Sequence, residues 1–146
     1  MTDLIDDPTV DGLRIVWVES SDYSGPRVID SPPQLRMIRD FLSRDTWQHF
    51  VRFILPGILD HHQRVAEYSG FRFPSDLDAD EEPFDGVELY DPIDTIHISQ
   101  GAFDRLMSRY VQTIIDGVTA YERPELREPW WPEIVAAARR LGNTSG

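Results

Sequence analysis

The residues of this chain that could do chemistry are concentrated in one acidic stretch. Ten carboxylates lie between Arg72 and Arg105, where His97 is the only other basic side chain. The rest of the sequence carries sixteen acidic residues and fourteen arginines, so most of the formal net charge of -12 at pH 7 is local. A local field of one sign favours binding to a basic partner. The ten carboxylates are Asp76, Asp78, Asp80, Glu81, Glu82, Asp85, Glu88, Asp91, Asp94 and Asp104.

Asp76, Asp78 and Asp80 have the spacing of the first three ligands of a calcium loop. The match ends at Glu81, where the loop needs glycine, and at Val87, where it needs a bidentate glutamate. We therefore expect no metal and no cofactor. Clustered carboxylates repel one another, and a cationic protein would relieve that cost on binding. The alternatives are weak divalent binding and a solvated loop without a partner. The predicted partner-binding residues are Asp76, Asp78, Asp80, Glu81, Glu82, Asp85 and Glu88.

Other catalytic or metal-binding patterns are weak. His61 and His62 follow Asp60, but adjacent residues of a helix point about 100° apart, so two histidines there do not grip one ion together. His49 and His97 have no obvious partners in the sequence. Cysteine, a G-x-S-x-G motif and a glycine-rich phosphate loop are all absent. We predict a protein that is not an enzyme, with a small enzyme of unrecognised family as an alternative.

The composition predicts a single globular domain spanning residues 1–146, since 40% of the residues are hydrophobic and 11% are aromatic. The acidic N-terminal segment lacks the features of a secretory signal, and no apolar run approaches the roughly 20 residues that span a bilayer. Because phosphate backbones and anionic lipids attract basic surfaces, the net charge argues against nucleic-acid and membrane binding. We expect a cytoplasmic protein, which the absence of cysteine also fits.

The first half of the chain predicts a hairpin followed by two helices. Strands are expected at 13–19 and after the Ser24-Gly25-Pro26 turn at 27–30, and a helix at 32–44. Apolar residues from Trp47 onward recur at helical spacing and predict a helix that ends after Tyr68, with a kink at Pro56-Gly57. A strand, turn and strand over 47–68 is the alternative.

The second half predicts two strands and two helices. Residues 86–90 and 95–98 alternate between apolar and polar side chains, and Ser99 has the position of an N-cap for a long amphipathic helix reaching 117–121. A final short helix is expected at 134–141, with Trp130-Trp131 pinning it to the core. The expected fold class is α+β, a small and mostly antiparallel sheet packed against several helices.

The order of strand, turn, strand and capped helix over residues 73–121 resembles the immunity proteins of bacterial contact-dependent inhibition and polymorphic toxin systems. The resemblance lies in Gly86-Val87-Glu88-Leu89-Tyr90-Asp91-Pro92, in Ile96-His97-Ile98-Ser99, and in Phe103, Leu106, Arg109 and Tyr110. It implies a cytoplasmic antitoxin that binds a cognate toxin domain, often a basic nuclease, and neutralises it in a stoichiometric complex. A non-toxin adaptor or regulatory domain that recognises a basic protein is the alternative.

Overall fold

The computed structural model describes residues 3–43, 47–60, 64–66 and 69–145. Three short 3₁₀ turns, Pro33–Leu35, Pro74–Asp76 and Pro124–Arg127, lie between the longer elements. In chain order the helices and strands are α1 (Asp7–Asp11), β1 (Arg14–Glu19), β2 (Ser24–Ile29), α2 (Arg36–Leu42), α3 (Trp47–His49), a π-helical segment (Phe50–Ile54), α4 (Leu55–Leu59), β3 (Arg64–Ala66), β4 (Ser69–Arg72), β5 (Val87–Tyr90), β6 (Thr95–Ile98), α5 (Gln100–Ala120) and α6 (Trp131–Ser145).

The strands form two antiparallel sheets. β1 and β2 make a hairpin in which Arg14 faces Ile29 and Glu19 faces Ser24. β3, β4, β5 and β6 follow one another as a four-stranded meander. Both sheets and the helices contribute side chains to one buried cluster. The fold is therefore α+β and single-domain, as the sequence predicts.

α5 is the central helix of the fold. It begins at the predicted N-cap, where the Ser99 hydroxyl accepts a hydrogen bond from the Ala102 amide at 3.0 Å. The ring of Phe103 lies 5.9 Å from the ring of Phe71 on β4, which ties the helix to the four-stranded sheet. Its buried residues recur at helical spacing and confirm the predicted apolar stripe. They are Ala102, Phe103, Leu106, Met107, Tyr110, Val111, Ile114, Gly117 and Val118.

The helix that begins at Trp47 is shorter than its sequence pattern predicts. It ends at Leu59, and Arg64–Ala66 and Ser69–Arg72 are strands, so the prediction of a helix to Tyr68 is wrong. The alternative of a strand, a turn and a strand is also wrong over residues 47–59, because these residues are helical. The effect of Pro56 on the helix appears in the turn before it, because proline has no amide hydrogen to donate to a carbonyl of that turn. The chain widens into the π-helical segment, whose last turn is closed by a bond from the Leu55 amide to the Phe50 carbonyl.

The predicted N-terminal hairpin is confirmed, but the predicted turn at Ser24-Gly25-Pro26 is wrong, because these three residues pair with β1 as the start of β2. The predicted helix 32–44 is a 3₁₀ turn followed by α2. α1 has no counterpart in the sequence pattern, because five residues are too few to show helical periodicity. A distant side chain completes it: the guanidinium of Arg109 on α5 donates to the carbonyls of Val10 and Leu13 at 3.2 and 2.5 Å.

The final helix extends beyond the predicted 134–141 at both ends. The Trp131 side chain is buried, and the half-buried Trp130 packs against the same core with its ring centroid 6.1 Å from that of Trp131. Pro132 is compatible with this early start, because a proline in the first helical turn loses no intrahelical hydrogen bond.

We predict that Gly117 is essential for packing the hairpin against α5. A Cβ at this position would lie 2.1 Å from Cδ2 of Trp17, so alanine forces the indole away from the helix. Although alanine is the better helix former by about 1 kcal/mol, Gly117→Ala should lower the free energy of unfolding by about 1–3 kcal/mol through overpacking. Urea denaturation measures this difference.

Gly101→Ala is the matched control on the same helix. Its Cβ would meet only the flexible Arg105 guanidinium, at 3.3 Å, so its stability should equal or exceed that of the unmodified chain. Equal stability of the two variants would show that the contact between Trp17 and Gly117 tolerates a methyl group.

Candidate partner-binding face

The outer face of the four-stranded sheet carries a row of charged side chains. Strand alternation turns the apolar residues of β4, β5 and β6 into the core and the polar residues outward. In this register Arg72 faces Glu88, and Glu88 faces His97, so the three side chains cross the sheet side by side. The residues next to these three along the strands have buried side chains, namely Phe71, Val87, Leu89 and Ile98.

Arg72 joins this row to the acidic loop that connects β4 to β5. Its Nε donates to Glu88 Oε1 at 2.9 Å, and its Nη1 donates to Glu81 Oε2 at 2.7 Å. On the other side of the row, His97 Nε2 lies 3.0 Å from Glu88 Oε2. The ring of Phe84 covers the row, 5.3 Å from the His97 ring and 5.8 Å from the Arg72 guanidinium carbon. One arginine thus holds loop residues 81–84 against the sheet.

The electrostatics of Glu81 follow from this contact. The hydrogen bond from Arg72 lowers the pKa of Glu81, and a second hydrogen bond from the Asp78 amide, at 3.1 Å, acts in the same direction. The same pair raises the pKa of Arg72. Both groups are therefore charged at neutral pH, and the contact is a charge-assisted hydrogen bond.

The loop is anchored at two further points. The Asp76 carboxylate accepts a hydrogen bond from the Phe73 amide at 2.9 Å and so caps the 3₁₀ turn at the start of the loop. Gly86 ends the loop with a φ of 73°. A Cβ there would lie 2.1 Å from the Ile98 carbonyl oxygen, so only glycine fits where the chain enters β5.

The seven predicted partner-binding residues therefore have two different settings. Asp76, Glu81 and Glu88 are partly buried and have the internal partners described above. The other four are exposed to solvent along the same loop. Among the described residues, no ion pair involves Asp78, Asp80 or Glu82. The four exposed residues are Asp78, Asp80, Glu82 and Asp85.

The other acidic residues of this stretch stabilise local structure. The Asp91 carboxylate accepts hydrogen bonds from the amides of Ile93 and Asp94, each at 2.8 Å, and it pairs with Arg36 at 3.2 Å. These bonds fix the turn between β5 and β6. Asp104 accepts a hydrogen bond from Gln100 one turn earlier in α5, at 2.9 Å. The sequence predicts a turn at Asp91-Pro92, which is confirmed, but it does not predict these side-chain contacts.

An open cleft of about 650 Å³ lies between the acidic loop and β6. The N-terminal segment forms its far wall, where Ile5 continues the sheet through a hydrogen bond from its amide to the His97 carbonyl at 2.9 Å. Four carboxylates and one guanidinium line the cleft, which gives it a negative potential suited to a cationic side chain. These charged residues are Asp3, Glu81, Glu82, Glu88 and Arg72.

No protein-family model matches the chain, and no curated protein or solved structure is significantly similar to it.

The calcium spacing does not form a site within the residues that the structure describes. There, no three acidic or histidine side chains are grouped so that they could hold one ion. Asp76 uses its carboxylate to cap a turn. Of the Asp60-His61-His62 pattern, the histidines fall outside the described residues. His49 packs against Phe53 with 5.0 Å between the ring centroids.

A feature that sequence reasoning missed is the apolar tip beside this face. Ile93 is 83% exposed and stands on the turn that Asp91 fixes. The only sequence signal was an isoleucine between two turn-forming residues, Pro92 and Asp94.

Over the described part of the chain, no helix is both long enough and apolar enough to cross a membrane.

Arg72→Met should free the acidic loop from the sheet. The pKa of Glu81 should rise toward its ordinary value of about 4.3, because the hydrogen bond that lowers it is lost. Carboxyl NMR titration measures this shift, and amide hydrogen exchange over residues 74–86 should become faster.

The pH dependence of the free energy of unfolding provides a second measurement of the contact between Arg72 and Glu81. Since the folded pKa of Glu81 lies below its unfolded value, its contribution is complete above roughly pH 4.3 and is lost as the pH falls through the lowered pKa. In Arg72→Met the free energy of unfolding should therefore fall less steeply as the pH is lowered through this range. Arg39→Met is the control, because the one ion-pair partner of Arg39 among the described residues is its exposed neighbour Asp40. An unchanged Glu81 pKa in Arg72→Met would contradict the proposed anchor.

Proposed function

We propose that this protein is a bacterial immunity protein, which neutralises a basic toxin domain in the cytoplasm by forming a stoichiometric complex. The observation that carries the proposal is a cleft lined by one guanidinium and four carboxylates, of which Glu82 is exposed, together with the exposed Asp78 and Asp80 on the same loop. The local arginine is already paired with Glu81 and Glu88. The negative charge of the face therefore remains for a partner to neutralise.

A preorganised acidic face supports fast association. Its potential attracts a basic domain before contact and orients it, which raises the association rate at low salt. The loop has little conformational entropy to lose on binding, because Arg72, Asp76 and Gly86 hold it in place. Such a face is suited to a protein that must capture a toxin before the toxin reaches its target.

A long-lived complex with the toxin requires apolar contacts as well as charged ones. The exposed side chain of Ile93 stands on a rigid turn, so it can enter an apolar pocket without ordering the backbone. A shallow depression that contains Arg72, Glu88, Tyr90, Asp91 and Thr95 leads from the cleft toward this tip. The proposed interface is therefore an acidic cleft with an apolar anchor at one end.

Growth rescue tests the function directly. The C-terminal domain encoded by the upstream neighbouring gene is expressed with and without this protein. We expect toxicity that this protein suppresses and a one-to-one complex that co-purifies. A harmless neighbour, or killing that this protein does not prevent, would refute the immunity proposal. Binding to a harmless basic protein would favour the adaptor alternative.

Charge neutralisation tests the face. The triple variant Asp78→Asn, Asp80→Asn and Glu82→Gln should slow association by at least about tenfold at low salt and reduce its salt dependence, as expected for lost steering. Stopped-flow measurements with the co-purified partner give both quantities.

The matched control removes the same charge elsewhere, through Glu122→Gln, Glu128→Gln and Glu133→Gln, all at exposed positions near the C-terminus. This control should associate at nearly the unmodified rate. If both triple variants slow association equally, net charge matters and the acidic face does not.

A further inference from the structure

The hairpin of β1 and β2 has two edges, and their exposed backbone groups can be identified from the register. The Ser20 amide donates to the Tyr23 carbonyl at 2.9 Å, which makes these residues a hydrogen-bonded pair at the turn. Such pairs alternate in antiparallel strands. Arg14, Val16 and Val18 therefore bond to β2, and the amides and carbonyls of Ile15, Trp17 and Glu19 point away from it.

Side chains close the outer edge of β2. Pro26 has no amide, and its carbonyl accepts from the Tyr23 hydroxyl at 2.6 Å. The Ser24 carbonyl accepts from Trp47 Nε1 at 3.1 Å, and the Val28 amide donates to Ser43 Oγ at 3.0 Å. These contacts agree with the assigned alternation, and they leave no room for another strand on this side.

The outer edge of β1 is open. Throughout the described part of the chain, no hydrogen bond uses the backbone amide or carbonyl of Ile15, Trp17 or Glu19. A groove of about 450 Å³ runs along this edge, between Arg14, Ile15 and Val16 on the strand and the polar row Arg109, Gln112, Thr113 and Asp116 on α5. The unpaired backbone groups of a β-branched strand readily add a further strand.

We propose that β1 pairs antiparallel with β1 of a second copy of this chain. Centred on Trp17, this pairing matches Ile15 with Glu19 of the second copy and Trp17 with its own equivalent, and each pair exchanges two backbone hydrogen bonds. On the other face, Val16 lies opposite Val18 of the second copy. The two hairpins then form one four-stranded sheet.

The charges along the edge are self-complementary in this orientation. β1 begins with Arg14 and ends with Glu19, and the polar row of α5 runs the same way, from Arg109 to Asp116. A twofold axis places the basic end of each element beside the acidic end of its equivalent. A parallel arrangement would put like charges together.

The pairing also ends after two copies. Within the described residues the hairpin has one open edge, because the side chains of Tyr23, Ser43 and Trp47 close β2. In the other sheet, the Ile5 segment continues the β6 edge. The result is a closed dimer rather than a fibre. The acidic loop lies on the other sheet, so this inference does not depend on the proposed function.

Sedimentation velocity over a range of protein concentrations tests the dimer. We expect a monomer–dimer equilibrium, and Val16→Lys with Val18→Lys should raise the dissociation constant by at least about tenfold, because lysines then face each other across the axis. Val16→Thr with Val18→Thr, which keeps the β-branched shape without charge, should remain dimeric. Circular dichroism checks that each variant is folded.

Hydrogen exchange at single amides identifies the edge. The amides of Ile15, Trp17 and Glu19 should become protected as concentration rises, whereas those of Val16 and Val18, bonded within the hairpin, should be protected at every concentration. A monomer at the highest soluble concentration overturns the proposal. So does a dimer that the lysine variant leaves intact, or a monomer whose edge amides are protected only when another protein is added.

Discussion

The structure depends on burying one face of α5. Its stripe of nine buried residues meets α1 and the hairpin along one side and α6 along another, and the ring of Phe103 reaches the four-stranded sheet. Neither sheet could bury its apolar face alone, since one has two strands and the other has short ones. Hydrophobic burial against this helix is therefore what turns two weak sheets into one domain.

That arrangement leaves the outer face of the larger sheet free for charge. Arg72, Glu88 and His97 stand on the reverse side of strands whose other side is packed into the core. The hydrogen bond from Arg72 to Glu81 holds the acidic loop against this face of the sheet. The same helix that stabilises the core indirectly positions the proposed binding face.

The sequence predicts those elements whose periodicity is local. α5, β5, β6 and the hairpin each contain their own pattern of apolar spacing and turn residues. The helix after Trp47 could not be bounded this way, since the next clear stop signal after Leu59 is Ser69-Gly70. Pairing with β3 and with β5, which lies beyond the acidic loop, makes Ser69–Arg72 a strand. The acidic stretch was readily identified, but its division into anchoring and exposed carboxylates depends on Arg72, a residue outside it. The open β1 edge likewise depends on distant side chains that close β2.

Anchoring the loop at three points has a consequence for divergence among related sequences. Arg72, Asp76 and Gly86 determine the path of the backbone, whereas the side chains of Asp78, Asp80 and Glu82 have no part in the described contacts that hold it. Substitutions at the exposed positions can therefore accumulate without a loss of folding stability. A lineage could retune which surface it recognises one side chain at a time while the scaffold stays constant.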